Sequence, residues 1–439
     1  MARFCDVGIG VKIGTRRQEW DSRRAAGAGR IGRRILLALF IAIAMATAMA
    51  VGVGACRPRS EAFPLRNNDG TPPNVLLISI DTLRADHLGA YGYRIPTSPA
   101  ISDLAARGTL FERCLSPASE TGPGAASLIT GRYQDRHGAW SNVVPLSDDV
   151  TTLAEHFSAA GYATAGFVGN RLLGTKFGFD QGFDTFEGFW TDDMDEPSDA
   201  EGVRLATEWI ADHGESSTKP WFLWLHLMDP HGPYTSTPPS WSNGFEYAPG
   251  TFGDDAPVKL AFSNYGLGII PRYQQIEHER QLSRYVRRYD GEILFTDTQV
   301  GRLLAMLEET GLRQRTLIVL SADHGESLTE HEEYLQHGWY VYDTTLRVPL
   351  VIAWAGHLME ATAIESPVST VDVVPTLIEL LGLSAPPHSV DGESFAPALL
   401  GGSLDPERSL FAFGARANHP FAVSRGRWKL IHTAAGRPP

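Results

Sequence analysis

From Asn74 onward the chain alternates short, unbroken apolar runs with amphipathic stretches. The run Asn74-Val-Leu-Leu-Ile-Ser-Ile80 lies between Pro73 and Asp81. An apolar run of this length without polar alternation predicts a strand covered on both faces, as in a parallel sheet. Runs of the same kind occur at Tyr162–Val168, Trp221–Leu227, Thr316–Ser321 and Pro349–Trp354. Helical periodicity fills the intervals, at Ile101–Arg107, Thr152–Ala160, Val203–His213, Asp290–Thr310 and Val371–Leu381. Thr152-Leu-Ala-Glu155 has the form of a capping box at a helix start. Strands alternating with helices predict an α/β sandwich around a central, mostly parallel sheet. Gly232–Pro271 is rich in Pro, Ser, Gly, Tyr and Trp and predicts a long excursion over one face. Its Tyr234, Trp241, Phe245 and Tyr247 could stack on a ligand or pack the loop down.

The N-terminal pattern is different. Ile35–Ala55 carries no charge and is mostly Ala, Ile, Leu, Met and Val. It follows Arg33-Arg34, giving a basic region and then an apolar region long enough to span a bilayer. The run ends in Val53-Gly54-Ala55-Cys56, which resembles a bacterial lipoprotein cleavage box; the other reading is a plain transmembrane anchor. Both predict an exported, membrane-anchored protein facing the periplasm or cell exterior. Arg57–Pro73 reads as a tether. The expected organisation is therefore residues 1–56 for export and anchoring, 57–73 as tether, 74–400 as catalytic domain and 401–439 as a partial C-terminal subdomain.

Composition sharpens this picture. The chain has 439 residues, is 43% hydrophobic and has a formal net charge of -13. A sizeable core is expected, and nucleic acid is excluded as a partner. Met1–Arg34 holds nine basic and three acidic residues, so the body is more acidic than the whole. Of the three cysteines, only Cys114 lies in the body, so no disulfide can form there.

Ligand sites in open α/β sheets gather at the carboxyl ends of strands. Two predicted strands end in acids: Asp81 after the first, and Asp323-His324-Gly325-Glu326 after Thr316–Ser321. A lone acid there is usually a turn residue, but two such ends, one with an adjacent His, point to a metal site.

Ordered motifs surround these positions. Asp81-Thr-Leu-Arg-Ala-Asp-His-Leu-Gly-Ala-Tyr-Gly92 is followed by Thr121-Gly-Pro-Gly-Ala-Ala-Ser-Leu-Ile-Thr-Gly-Arg-Tyr133 and Arg136-His-Gly138. Gly161-Tyr-Ala-Thr164, His226-Leu-Met-Asp-Pro-His231, Tyr289-Asp-Gly-Glu292, Ser321-Ala-Asp-His-Gly-Glu326, His337-Gly338 and Leu346-Arg-Val-Pro-Leu350 come after them. In this order the chain resembles the sulfatase family of the alkaline phosphatase superfamily, over roughly Asn74 to Ile431. The resemblance implies an alkaline-phosphatase-like sandwich with a small C-terminal antiparallel subdomain, which family members usually continue beyond Trp428-Lys-Leu-Ile431. It implies hydrolysis of sulfate or phosphate esters at one divalent metal ion. Asp81, Asp323 and His324 match metal ligands, and oxygen ligands with one imidazole suit Ca, Mg, Mn or Zn. His231 and His337 match positions that contact the ester.

Two departures matter. Most sulfatases carry Cys or Ser before x-Pro-x-Arg, converted to formylglycine; here the run is Thr121-Gly-Pro-Gly-Ala125. Threonine is not converted, but a metal-bound hydroxyl can attack phosphorus or sulfur in line. Superfamily members with Thr here resemble phosphodiesterases and phosphoglycerol transferases. The set implied is Asp81, Thr121, Asp323 and His324, with Thr121 as nucleophile; the plain alternative is that Thr121 only caps its helix. After Val168 the family's Gly-Lys-x-His is replaced by Gly-Asn170-Arg171, one of which could stand in for the missing Lys. His226, inside an apolar run, reads as a core histidine, and His137 as a support for the loop after the Thr121 helix. Arg84 and Asp86 read as a surface ion pair or, alternatively, as groups that support the site from behind, and His331 and Glu332 as a solvated face. The partner expected is a sulfated or phosphorylated small molecule or glycan. The competing class is a lipid-anchored binding protein that retains the fold without turnover.

Overall fold

The computed structural model describes residues 63–433, apart from 191–198, 215–218, 236–238, 249–250, 252–254, 265, 386–389 and 415–419. The expected export segment, residues 1–56, and the first part of the expected tether lie outside the described residues. No helix among the described residues is long and apolar enough to cross a membrane. From Phe63 the chain already lies on the body, where Leu65 donates its N–H to the Leu380 carbonyl at 2.9 Å.

An eight-stranded sheet forms the centre. Its lateral order is Thr362–Ile364, Thr109–Phe111, Leu350–Ala353, Thr316–Ala322, Asn74–Ile80, Trp221–Leu227, Ala163–Val168 and Thr185–Gly188. The last five run parallel, and Leu350–Ala353 turns antiparallel against Thr316–Ala322. The long apolar runs are the inner strands, and every residue of Asn74–Ile80, Trp221–Leu227 and Thr316–Ala322 is buried. This agrees with the expectation for strands covered on both faces. The edge strands are short and partly polar, so they carry no continuous apolar run.

Helices Pro99–Ala106, Asp199–Gly214 and Leu282–Glu309 pack together as one covering group. Thr121–Thr130, Leu153–Ala159 and Val373–Leu381 form another. The Thr152–Glu155 capping box is present with both reciprocal hydrogen bonds. The long helix starts at Leu282, well before the expected Asp290, because its first turns pack Tyr285 and Val286 into the core.

A three-stranded antiparallel sheet, Ser409–Phe413, Phe421–Arg425 and Trp428–His432, makes the C-terminal subdomain. It is fastened by Arg408, whose Nη1 and Nη2 donate to the two oxygens of buried Asp372 at 2.5 and 2.7 Å.

Candidate active site

Four neighbouring parallel strands deliver the site. Ile80 is level with Ala322 and with Leu227, so Asp81 and Asp323 leave adjacent strands side by side. Val168 is level with His226, and Asn170 follows just beyond. The helix Thr121–Thr130 enters from the side. A Cβ on Gly124 would sit 2.5 Å from the Asp323 carbonyl oxygen, so glycine lets this helix pack directly on the Asp323 backbone. That contact sets Thr121 over the two carboxylates.

Each carboxylate has one occupied and one open oxygen. Asp81 Oδ2 accepts from Asn170 Nδ2 at 2.8 Å and from Thr121 Oγ1 at 3.4 Å. Asp323 Oδ1 accepts the backbone N–H of His324 at 2.8 Å and of Thr82 at 3.4 Å. Asp81 Oδ1 and Asp323 Oδ2 are buried and make no hydrogen bond. His324 Nε2 lies 3.6 Å from each of them. Its Nδ1 is 2.8 Å from the Gly325 carbonyl, which only accepts, so Nδ1 carries the proton and Nε2 offers its lone pair. Thr121 Oγ1 is 3.3 Å from the same Nε2.

The electrostatics agree. Burial pushes the Asp81 carboxyl up, but His231, His226 and His324 outweigh it and hold it well below the ordinary value. Burial, and then the charge of Asp81, drive the Asp323 carboxyl well above its ordinary value. Two buried carboxylates that oppose each other's ionisation, with open oxygens converging on an imidazole lone pair, fit a divalent cation. These residues therefore suit the expected ion.

The expected ester-contacting histidines stand above this floor. The rings of His324 and His337 are 4.4 Å apart, and those of His337 and His231 5.2 Å. His231 Nδ1 lies 2.7 Å from the Gly232 carbonyl, and His337 Nδ1 3.0 Å from Glu326 Oε1. Glu326 was not expected in the site. Burial pushes its carboxyl up to about 7, against the pull of His231, His324 and the Tyr234 hydroxyl. Asp199 fastens the turn before His231 by accepting the Met228 N–H at 2.7 Å.

Several readings change. Thr121 is not the helix cap, since Glu120 holds that position and the Thr121 hydroxyl faces Asp81 and His324. His226 is fully buried as expected, but its Nε2 is 3.6 Å from Asp81 Oδ2, so it belongs to the site rather than to the apolar core. Asn170 lies at the site on Asp81, whereas Arg171 is exposed. Arg84 is not a surface residue. It is 4% exposed, pairs with Asp86 and Glu330, and donates to the Glu326 carbonyl at 3.1 Å. His137 supports the loop after the Thr121 helix as expected, accepting the Ala139 N–H on Nδ1 at 3.1 Å, and its Nε2, 3.0 Å from Ser127 Oγ, ties that loop to the helix. His331 and Glu332 are exposed. The loop aromatics pack inward: Tyr234 is fully buried with its hydroxyl on Glu326, and Tyr247 donates to Asp290. The register of adjacent strands decides which side chains reach Asp81, and no local motif encodes that register.

A strand-end carboxylate pair with an imidazole and a hydroxyl in reach suits a metal-assisted hydrolase on an alkaline-phosphatase-like sheet. The family described as Sulfatase matches residues 73–383, and the C-terminal family described as N-sulphoglucosamine sulphohydrolase matches residues 332–436. The chain belongs to the sulfatase family and is a hydrolase acting on ester bonds. Human (Homo sapiens) arylsulfatase A is 29% identical over 386 residues, covering 82% of this chain and 74% of that protein. Among solved structures, one in complex with its substrate D-glucosamine-2-N,6-O-disulfate aligns with a TM-score of 0.70 at 18% identity, covering 84% of this chain and 90% of that one. The phosphonate monoester hydrolase of Silicibacter pomeroyi aligns with a TM-score of 0.66 at 23% identity, covering 84% and 88%.

Proposed function

We propose that this chain hydrolyses sulfate or phosphorus esters with Thr121 as nucleophile, and that phosphodiesters and phosphonate monoesters are better substrates than sulfate monoesters. The observation that carries the reading is the Thr121 hydroxyl, 1% exposed, between Asp81 Oδ2 and His324 Nε2. A divalent ion, when bound, neutralises ester oxygens and acidifies a hydroxyl beside it. Asp81, Asp323 and His324 would hold it. Thr121 Oγ, acidified in this way, loses its proton to solvent and attacks the phosphorus or sulfur in line. His337, held by Glu326, protonates the leaving oxygen, and His231 binds a non-bridging oxygen from the other side of the mouth. Water, giving its proton to His337, which the first step left unprotonated, then cleaves the threonine ester and releases Thr121 Oγ as the alkoxide it began as.

The preference for phosphorus follows from the nucleophile. A formylglycine diol can expel sulfate by elimination, whereas a sulfated threonine must be cleaved by a second in-line attack. Similarity to the phosphonate monoester hydrolase fold supports this choice. The similarity to a protein solved with a sugar disulfate, and to arylsulfatase A, supports sulfated small molecules or glycans as the other substrate class. The test is a parallel assay of an aryl sulfate, a phosphodiester and a phosphonate monoester on the metal-loaded protein. A kcat/KM highest for the aryl sulfate would refute the order.

We further propose that residues 1–56 export the chain and anchor it to a membrane, on the strength of the uncharged run Ile35–Ala55 after Arg33-Arg34. Deleting Met1–Cys56 should move the protein from the membrane fraction to the soluble fraction with its metal binding intact. Continued membrane association of the deletion would contradict the anchor.

A further inference from the structure

His226 is a site residue whose role neither the motifs nor the family resemblance assigns. Its Nε2, Asp81 and Asp323 present ligand atoms within 4.8 Å of one another, so it competes with His324 for the place of imidazole ligand. The two histidines differ in which oxygen they face. His324 Nε2 faces the open oxygens, Asp81 Oδ1 and Asp323 Oδ2. His226 Nε2 faces Asp81 Oδ2, the oxygen already served by the Asn170 amide and the Thr121 hydroxyl. It therefore stands on the donor side of Asp81.

The tautomer follows from counting hydrogens. Trp224 Nε1 is 2.8 Å from Ser79 Oγ, and an indole nitrogen only donates. Ser79 Oγ thus accepts from Trp224 and has one hydrogen left to place. Ser79 is fully buried, and its other partner is His226 Nδ1 at 2.8 Å. If Nδ1 carried the imidazole proton, it and Trp224 would both donate to Ser79 Oγ, and the serine hydrogen, turned away from both, would stay buried without an acceptor. The arrangement that satisfies Ser79 runs one way, from Trp224 N–H to Ser79 Oγ and from Ser79 O–H to His226 Nδ1, and the acceptor that buried Nε2 then faces is Asp81 Oδ2 at 3.6 Å, longer than a formed hydrogen bond. The imidazole proton is then on Nε2.

We propose that His226 is a positioning residue and not a metal ligand: it donates Nε2–H toward Asp81 Oδ2, turning the other oxygen of Asp81 to the ion. The assignment deepens the proposed ion site and rests on Asp81 being one of its ligands. Its role parallels that of outer partners that orient metal-binding carboxylates.

The test is long-range 1H–15N correlation of the imidazoles in the 15N-histidine-labelled full chain. Spectra are taken metal-free and after titration with Zn2+ or Ca2+ alone, with His226 assigned by its loss in His226→Gln. The expected result is a protonated Nε2 and an unprotonated Nδ1 in both states, while the His324 Nε2 signal moves with the metal. An unprotonated His226 Nε2 in the metal-free protein, or one that shifts as a ligand on titration, would overturn the assignment. The metal-free spectrum decides this even if no ion binds, so a failure of the ion site is told apart. Variants give a second readout. His226→Gln keeps an amide donor and should retain one ion per chain with nearly the wild-type affinity, whereas His226→Phe should lose about 10–100-fold in affinity. Equal losses in Gln and Phe variants that both melt as wild type would contradict the donor role.

Discussion

Gly124→Ala tests the contact that sets Thr121 over the carboxylates. The added Cβ would lie 2.5 Å from the Asp323 carbonyl oxygen, 3.0 Å from its carbon and 3.4 Å from its Cβ. A relaxed C···O contact is about 3.3 Å, so helix and strand end must part by roughly 0.8 Å. The obstacle is backbone on both sides, and Ser116 Oγ also holds the Asp323 carbonyl, so no side chain can swing away. Overpacking of this kind costs about 1–3 kcal/mol, and the better helix propensity of alanine returns up to about 1 kcal/mol. The net loss of ~1–2 kcal/mol lowers Tm by about 2–6 °C. Activity should suffer more than stability, because a misplacement approaching 1 Å between nucleophile and ligands costs about 10- to 100-fold in kcat/KM. Gly122→Ala is the control: its Cβ would meet the Asn142 side-chain oxygen at 3.2 Å, away from Asp323, and should lose less. Steady-state kinetics under saturating metal and calorimetry read both effects. A Gly124→Ala enzyme with wild-type kcat/KM and Tm would refute the argument.

Asp323→Asn should abolish stoichiometric metal binding and turnover together, yet the metal-free variant should melt no lower than wild type, since a charge opposed by burial and Asp81 is removed; calorimetry with and without chelator checks both signs. Glu326 keeps its proton up to about pH 7 through burial, so the Glu326–His337 pair holds the leaving-group proton below that pH and loses it above. The profile of kcat/KM should therefore be flat below about 7 and fall on the alkaline side, and Glu326→Gln, which leaves His337 without its carboxylate, should move the fall to lower pH. Arg408→Ala leaves the buried Asp372 carboxylate without its bidentate partner and should cost about 3 kcal/mol in denaturant unfolding, with part of that restored by Asp372→Asn in the double variant.

Much of this architecture is legible in the sequence for a simple reason. Inner parallel strands are covered on both faces, so Asn74–Ile80, Trp221–Leu227 and Thr316–Ala322 appear as unbroken apolar runs, and the acids that end them stand out. Edge strands such as Thr362–Ile364 and Thr185–Gly188 are too short to leave such a mark. The ion-facing set Asp81, Asp323 and His324 was readable because each residue follows directly on a strand end. His226 was misread because it lies inside an apolar run, and only the pairing of Ser79 with His226 across adjacent strands brings it to Asp81. Glu326 was passed over because its partners His337 and Tyr234 come from distant loops. Of the two readings of the loop aromatics, Tyr234 takes the packing one: it is buried with its hydroxyl on Glu326, a contact that the sequence does not announce.

The central claim is that Thr121 is the nucleophile, and its most direct measurement is turnover of Thr121→Ala beside Thr121→Ser at matched metal occupancy, on the best ester found for the wild type. The hydroxyl sits 3.4 Å from Asp81 Oδ2 and 3.3 Å from His324 Nε2, and serine keeps that oxygen while alanine deletes it. The account predicts that Thr121→Ser retains activity and that Thr121→Ala loses at least ~10²-fold in kcat with one ion still bound. Near-wild-type turnover by Thr121→Ala would contradict it and make water the attacking group.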